Sequence, residues 1–337
     1  MLVCVLLMLC DLSLAAGRGI WLSASDIGRL PTSGPAWQNM KAAADTPTPA
    51  PRLSDQDDPS NVRVLAKAMV YARTGDERYR QAVIDACRQI MGTERGGRTL
   101  ALGRELAAYV IAADLVELPA GDDAVFRAWL AQTLDTRLEG KTLRTTHERR
   151  PNNWGTAAGA SRAAIAVYLD DQVELARTAQ VFRGWLGERD AYDRFRFGNL
   201  SWQTDPMAPV AVNRAGARIQ EHDMDGALPE ELRRSGDFSW PPPRENYVWT
   251  ALQGALVQAE ILHRAGYPAW EWGDRALLRA FNWLHDVADY PAKGDDTWQP
   301  HIVNFRYGSA FPAPVPTKPG KLMGWSDWTH GPHRERE

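Results

Sequence analysis

The chain has 337 residues, 44% of them hydrophobic, which is enough for one large core or two modest ones. Its formal net charge of −3, with no dense basic cluster, excludes a surface that follows a phosphate backbone, so nucleic acid is not expected as a partner. Fourteen tryptophans is a high count; Trp154, Trp202, Trp240, Trp298, Trp325 and Trp328 stand in polar or Gly- and Pro-rich stretches, which suits platforms for sugar rings as well as buried packing.

Met1 to Ala16 is an apolar run ending in Ser13-Leu14-Ala15-Ala16, and it reads as a secretory signal, 1–16, rather than a membrane span. Cys4 and Cys10 would leave with it, so the mature chain keeps Cys87 alone, without an internal disulfide and with no membrane segment. Cys87 has apolar helical neighbours and is expected to be a buried structural thiol. Residues 17–60 read as an irregular wrap around a short helical run at Ala36 to Ala44. From Asn61 the apolar residues recur at helical spacing. Val62, Leu65, Met69 and then Tyr79, Val83, Ala86, Ile90 flank the turn Arg73-Thr74-Gly75-Asp76 and predict an antiparallel helical hairpin.

Three more hairpins follow. They break at Pro119-Ala120-Gly121, at Asp170-Asp171 and at Ala265-Gly266-Tyr267-Pro268. Four helical hairpins with no convincing strand series predict an all-α fold, an α/α toroid over 61–290, with an open solenoid as the alternative. Two long stretches, 190–245 and 289–337, carry no helical pattern and are expected as loops around a central cleft. The last of them, 291–337, reads as a C-terminal loop segment ending in the charged run Arg334-Glu335-Arg336-Glu337, which fits a frayed tail or a truncated gene model.

The most informative stretch is Arg150-Pro151-Asn152-Asn153-Trp154-Gly155-Thr156-Ala157-Ala158-Gly159-Ala160. Two side-chain amides open a helix of small residues, where free N–H groups and the positive dipole end favour an anion such as an acidic sugar. The plainer reading is that Asn153 only caps the helix. Further along come Asp225-Gly226-Ala227-Leu228-Pro229-Glu230-Glu231-Leu232-Arg233-Arg234 and Trp240-Pro241-Pro242-Pro243-Arg244-Glu245-Asn246-Tyr247, the latter leading into a helix.

Taken in this order, these motifs resemble the alginate lyase family of polysaccharide lyases over roughly residues 60 to 290. The resemblance implies an α/α toroid that cleaves a uronic-acid polysaccharide by β-elimination, secreted or periplasmic, with no cofactor and an acidic polysaccharide as partner. It implies that Asn153, with Asn152 beside it, neutralises the C5 carboxylate and that Tyr247 acts as base, acid or both. A phenol titrates at about 10 in water, so a tyrosine base needs cations nearby. Arg244, Arg233 and Arg234 are the candidates, and one of them is expected to face the phenol.

The chain departs from the family pattern in two places. Trp154 stands where many relatives place a histidine after the Asn, and Ser239 to Pro243 fill the space of an Arg two turns before the Tyr. A histidine base would then have to come from His222 or His147. Arg104 is expected to bind a subsite carboxylate or to pair within its helix, and Glu230 and Glu231 to pair with Arg233 and Arg234. His301, Arg306 and Tyr307, close to Trp298 and Asn304, are expected to form a sugar-binding rim. No metal motif appears. A glycoside hydrolase using two of Asp114, Asp223, Asp225 and Glu230, or a non-catalytic carbohydrate-binding toroid, are the competing readings.

Overall fold

The computed structural model describes residues 18–316 and 318–334; the expected leader with Cys4 and Cys10, and residues 335–337 of the charged tail, lie outside them. The N-terminal wrap carries α1 (Ala24–Arg29) and α2 (Pro35–Asp45). The four expected hairpins are α3 (Ser60–Thr74) with α4 (Glu77–Ile90), α5 (Thr99–Val116) with α6 (Ala120–Thr133), α8 (Asn153–Leu169) with α9 (Gln172–Trp185), and α11 (Tyr247–Arg264) with α12 (Trp272–Asn282). A short α7 (Leu143–Arg149) precedes α8, and α10 (Pro229–Leu232) interrupts the long stretch before α11. The strands are confined to one antiparallel pair, β1 (Arg218–Ile219) and β2 (His222–Asp223), among the described residues.

Local chemistry sets the turns. α3 stops at Gly75 in the left-handed region, and Asp76 then caps α4 by accepting the Arg78 amide. α8 ends likewise at Asp170, and Asp171 caps α9 through the Glu174 amide. The outer helix α4 buries one face, including Tyr79, Val83, Ile84, Cys87 and Ile90, whereas α5 and α8 are buried almost all round. Their Ala and Gly content follows from that. Gly103 lies against Ala158 and Gly254 against Thr156, so a methyl group at either would meet backbone. Cys87 is buried and unpaired, and burial pushes its thiol up to about 12, as befits an inert core residue.

The inner helices contact one another in order, α3 on α5, α5 on α8, and α8 on α11. The stretch expected as a C-terminal loop segment is not simply a loop. It contains α13 (Gln299–Tyr307), which packs on α11, and α14 (Ser326–Thr329), which packs on α13 and on α2, while α2 packs on α3. Trp325 Nε1 donates to Val62 O, and Trp328 Nε1 to Pro31 O, each at 2.9 Å. Four of the six loop tryptophans (Trp202, Trp298, Trp325 and Trp328) are core residues, leaving Trp154 half-buried and Trp240 exposed.

α8, α11 and α13 run in the same direction. Gly254 meets Thr156 while Gln258, a turn later, lies against Gly159. Gln299 donates to Trp249 O at the start of α13, and Arg306 pairs with Glu260 near its end. The N-termini of these three helices therefore share one end of the molecule.

Candidate active site

At that end, Asn152 is the N-cap of α8, its Oδ1 accepting the Trp154 amide at 3.2 Å. The capping role thus falls on Asn152 and not on Asn153. Asn153 is the first helical residue and only 4% exposed. Its Oδ1 is buried without a partner, and its Nδ2 makes no hydrogen bond within the described residues. Its backbone N–H donates to Glu231 Oε1.

Residues 229–235 send four charged side chains to three places. Glu230 accepts the Gly198 amide at 3.2 Å and pairs with Arg233, as expected. Glu231 pairs with neither arginine: one oxygen holds the Asn153 amide and the other, Oε2, is buried and unpartnered. Burial pushes its carboxyl up to about 8, against the opposing pull of the Asn153 N–H and Arg234. The Arg234 guanidinium lies over the Tyr247 ring, 4.1 Å from its centroid. The cation beside the phenol is therefore present, supplied from a distance in sequence. Arg244 is not that cation; it turns away to Ala288 O and Asp289, at 3.2 and 2.8 Å.

The segment is held rigidly from behind. Asp225 accepts from Arg279 at 2.6 Å, and Gly226, at φ +85°, is pressed so closely on the Arg279 backbone that no side chain would fit. Tyr247 is the first residue of α11 and 36% exposed. Asn246 before it donates to Asp296 Oδ2 at 2.9 Å, while Gln253 and Gln299 donate to Asp296 Oδ1 at 2.6 and 2.8 Å. Burial pushes Asp296 up to about 6 despite these three amides. Asp296 and Glu231 in this constellation escape sequence reasoning. The first sits in an ordinary Gly-Asp-Asp run, and the second reads as half of a surface ion pair.

Next to Asn152 lies a cavity of about 500 Å³ walled by Arg137, Lys141, Arg149, Arg150, Arg196 and Arg233. Its acidic lining residue, Glu230, is already engaged by Arg233. Trp154 lies beneath Arg150, 4.6 Å from its ring, with Lys141 at 6.0 Å. Six basic side chains line the cavity, and Arg233 and Asn152 are among its lining residues.

The other expected site residues lie elsewhere. His222, on β2, stacks on Trp240 at 4.0 Å and 8° rather than meeting Asn153 or Tyr247. His147 is buried against Gly159, and burial together with Arg162 holds it well below the usual imidazole range. Arg104 is buried and donates to Gln56 O at 3.1 Å, neither paired within its helix nor facing a subsite. The rim of His301, Arg306 and Tyr307 is not assembled. His301 is buried beside Pro314 O in the wall of a separate cavity of about 540 Å³. Arg306 pairs with buried Glu260, and the Tyr307 hydroxyl donates to Trp270 O at 2.6 Å. Glu260 lies about 20 Å along α11 from Tyr247 at 1.5 Å per residue, which places Arg306 far from the phenol.

Among the described residues no group of three or more His, Cys, Asp or Glu is arranged to hold a metal ion, and no helix is long and apolar enough to cross a membrane. Residues 52–192 match the family model described as Alginate lyase. Over this segment the chain is similar to the alginate lyase family. The alginate lyase match takes in Asn152, Asn153, Trp154 and Arg104, and it ends before residues 229–235 and Tyr247. No curated protein matches the chain.

Proposed function

We propose that the protein is a polysaccharide lyase that cleaves a uronic-acid polymer by β-elimination, on an α/α toroid closed through α13, α14 and α2. The observation that carries this reading is the Asn153 side chain, held at the N-terminus of α8 with its amide nitrogen uncommitted. The family match and the basic cavity beside Asn152 support it.

In this reading the substrate C5 carboxylate accepts from Asn153 Nδ2 at the positive end of the helix, which makes the C5 proton acidic. The cavity arginines hold the carboxylates of neighbouring sugars. Tyr247, with the Arg234 guanidinium over its ring, acts as the base that removes the C5 proton. The electron pair left behind forms the C4–C5 double bond, and the C4–O4 bond breaks. The same phenol then returns a proton to the departing O4. Burial removes His147 as an alternative base, and the stacking of His222 on Trp240 suits a sugar platform better than proton abstraction. A secreted or periplasmic location, where such polymers are met, fits the expected leader.

The carboxylates a hydrolase would need are already engaged. Asp114 accepts the Arg18 and Ile20 amides, Asp223 the Asp225 amide, Asp225 binds Arg279, and Glu230 binds Arg233. Incubation with alginate, glucuronan and glycosaminoglycans, followed by the ultraviolet absorbance of the unsaturated uronate product, tests the proposal. Growth of that absorbance with at least one polymer is expected; new reducing ends without it would rule out elimination.

A further inference from the structure

The candidate active site contains two buried acceptors that each lack a hydrogen-bond partner, Glu231 Oε2 and Asn153 Oδ1. They belong to residues already joined, because the other Glu231 oxygen accepts the Asn153 backbone N–H. Both residues are almost wholly buried, Glu231 at 2% and Asn153 at 4% exposure. Leaving two acceptors unsatisfied there is costly.

We infer that Glu231 is a positioning residue that carries a proton in the folded protein and donates it to Asn153 Oδ1, fixing the amide with Nδ2 directed at the substrate carboxylate. The inference rests on the reading of Asn153 as the group that meets that carboxylate. A hydrogen bond donated to Oδ1 polarises the amide, so Nδ2 becomes a stronger donor. Keeping Glu231 neutral also removes a negative charge that would repel a uronate. The surroundings are consistent with a neutral carboxyl. Arg233 is committed to Glu230 and Arg234 to the Tyr247 ring, so neither forms an ion pair with Glu231. Glu230, Arg233 and Arg234 are the charged groups that act on it from its own segment; α8 offers the Asn153 amide, and the first turn of α11, Tyr247-Val248-Trp249-Thr250, offers the titratable phenol of Tyr247 but no carboxylate or cation. The raised titration of this carboxyl, to about 8, agrees with that placement.

Loss of the proton at high pH should reverse the arrangement. The wild-type kcat/KM is expected to fall as pH rises through about 8. Glu231→Gln replaces the O–H by an N–H and should turn over without that alkaline fall. Glu231→Ala should lower kcat/KM roughly tenfold to a hundredfold at neutral pH. Carbon-13 NMR of glutamate-labelled full-length protein, with the Glu231 signal assigned by its loss in Glu231→Gln, should show a carboxyl still protonated at neutral pH. An ordinary carboxylate titration, an alkaline fall shared equally by wild type and Glu231→Gln, or failure of the neutral isostere to fold would each overturn the inference. A protonated Glu231 in a protein inactive on every uronate polymer would retain the proton assignment and reject the lyase reading.

Discussion

Glu260 in α11 and Glu231 in α10 are both buried, and their surroundings are opposite. Glu260 is enclosed by Arg306 and by His330, whose Nε2 is 3.3 Å away, so its charge is matched within the fold. Burial alone would raise Glu260, but Arg306 and His330 outweigh it and hold it well below the usual carboxylate range. His330 is itself pushed down to about 4 by burial, so at neutral pH it serves as a neutral hydrogen-bonding partner and Arg306 supplies the countercharge. Glu231 has no such partner, and burial drives it the other way. A closed cluster of this kind stabilises the fold. One whose polar atoms are left open costs stability and keeps its groups available to a ligand.

Substitutions at the two clusters should therefore fail differently. The largest effect is expected from Tyr247→Phe, which should lower turnover by roughly 10²- to 10⁴-fold while sparing substrate binding; near-normal turnover would remove Tyr247 as acid or base. Arg306→Met leaves Glu260 buried without its cation and should cost about 3–5 kcal/mol in denaturant unfolding, with turnover per folded molecule retained. A drop in turnover at intact stability would instead return Arg306 to a sugar-binding rim. Asn153→Ala should cost about 2–4 kcal/mol in transition-state stabilisation, measured as kcat/KM, and leave the melting temperature nearly unchanged, since the cap is its neighbour.

The pH dependence of stability should carry opposite signs at the two glutamates. Glu231 titrates above its unfolded value, so its contribution is fully present below that value and is lost as pH rises through about 8. Glu260 titrates below its unfolded value, so its contribution is present above that value and is lost only on strong acidification. Equilibrium unfolding of wild type and Glu231→Gln across pH should show the first difference as a relative gain of the variant on the alkaline side. The smallest effect belongs to Asn152→Ala, expected to cost about 1 kcal/mol of stability through loss of the cap. A larger loss in turnover than in stability would move Asn152 into the reacting machinery.

The helical hairpins were legible because each is local: periodic apolar residues around a short turn, with a Gly or Asp at the stop and an Asp cap at the next start in the first and third of them. The Asn152-Asn153 pair was legible for the same reason, although which of the two caps depended on backbone angles that spacing cannot give. Glu231 was not legible, because its partner is an amide on another helix. Sequence proximity left Arg244, Arg233 and Arg234 as candidates for the phenol; in the fold Arg244 turns to Asp289 while the turn after α10 brings Arg234 over the ring. The rim expected from His301, Arg306 and Tyr307 is not assembled because Arg306 turns to Glu260 of α11, Tyr307 to Trp270 O and His301 to Pro314 O. A polar run looks the same in sequence whether its partners are solvent, sugar or another helix.

The return of α14 to α2 bears on how the molecule comes apart. An open stack of helical pairs can fray from its last repeat inward, with early melting at one edge. Here the Trp328 indole bonds to Pro31 O and the Trp325 indole to Val62 O, which ties the C-terminal segment to the N-terminal helices. Heat should therefore release the end bearing Asn153 and Tyr247 together with the rest of the helices, and inactivation should coincide with global melting.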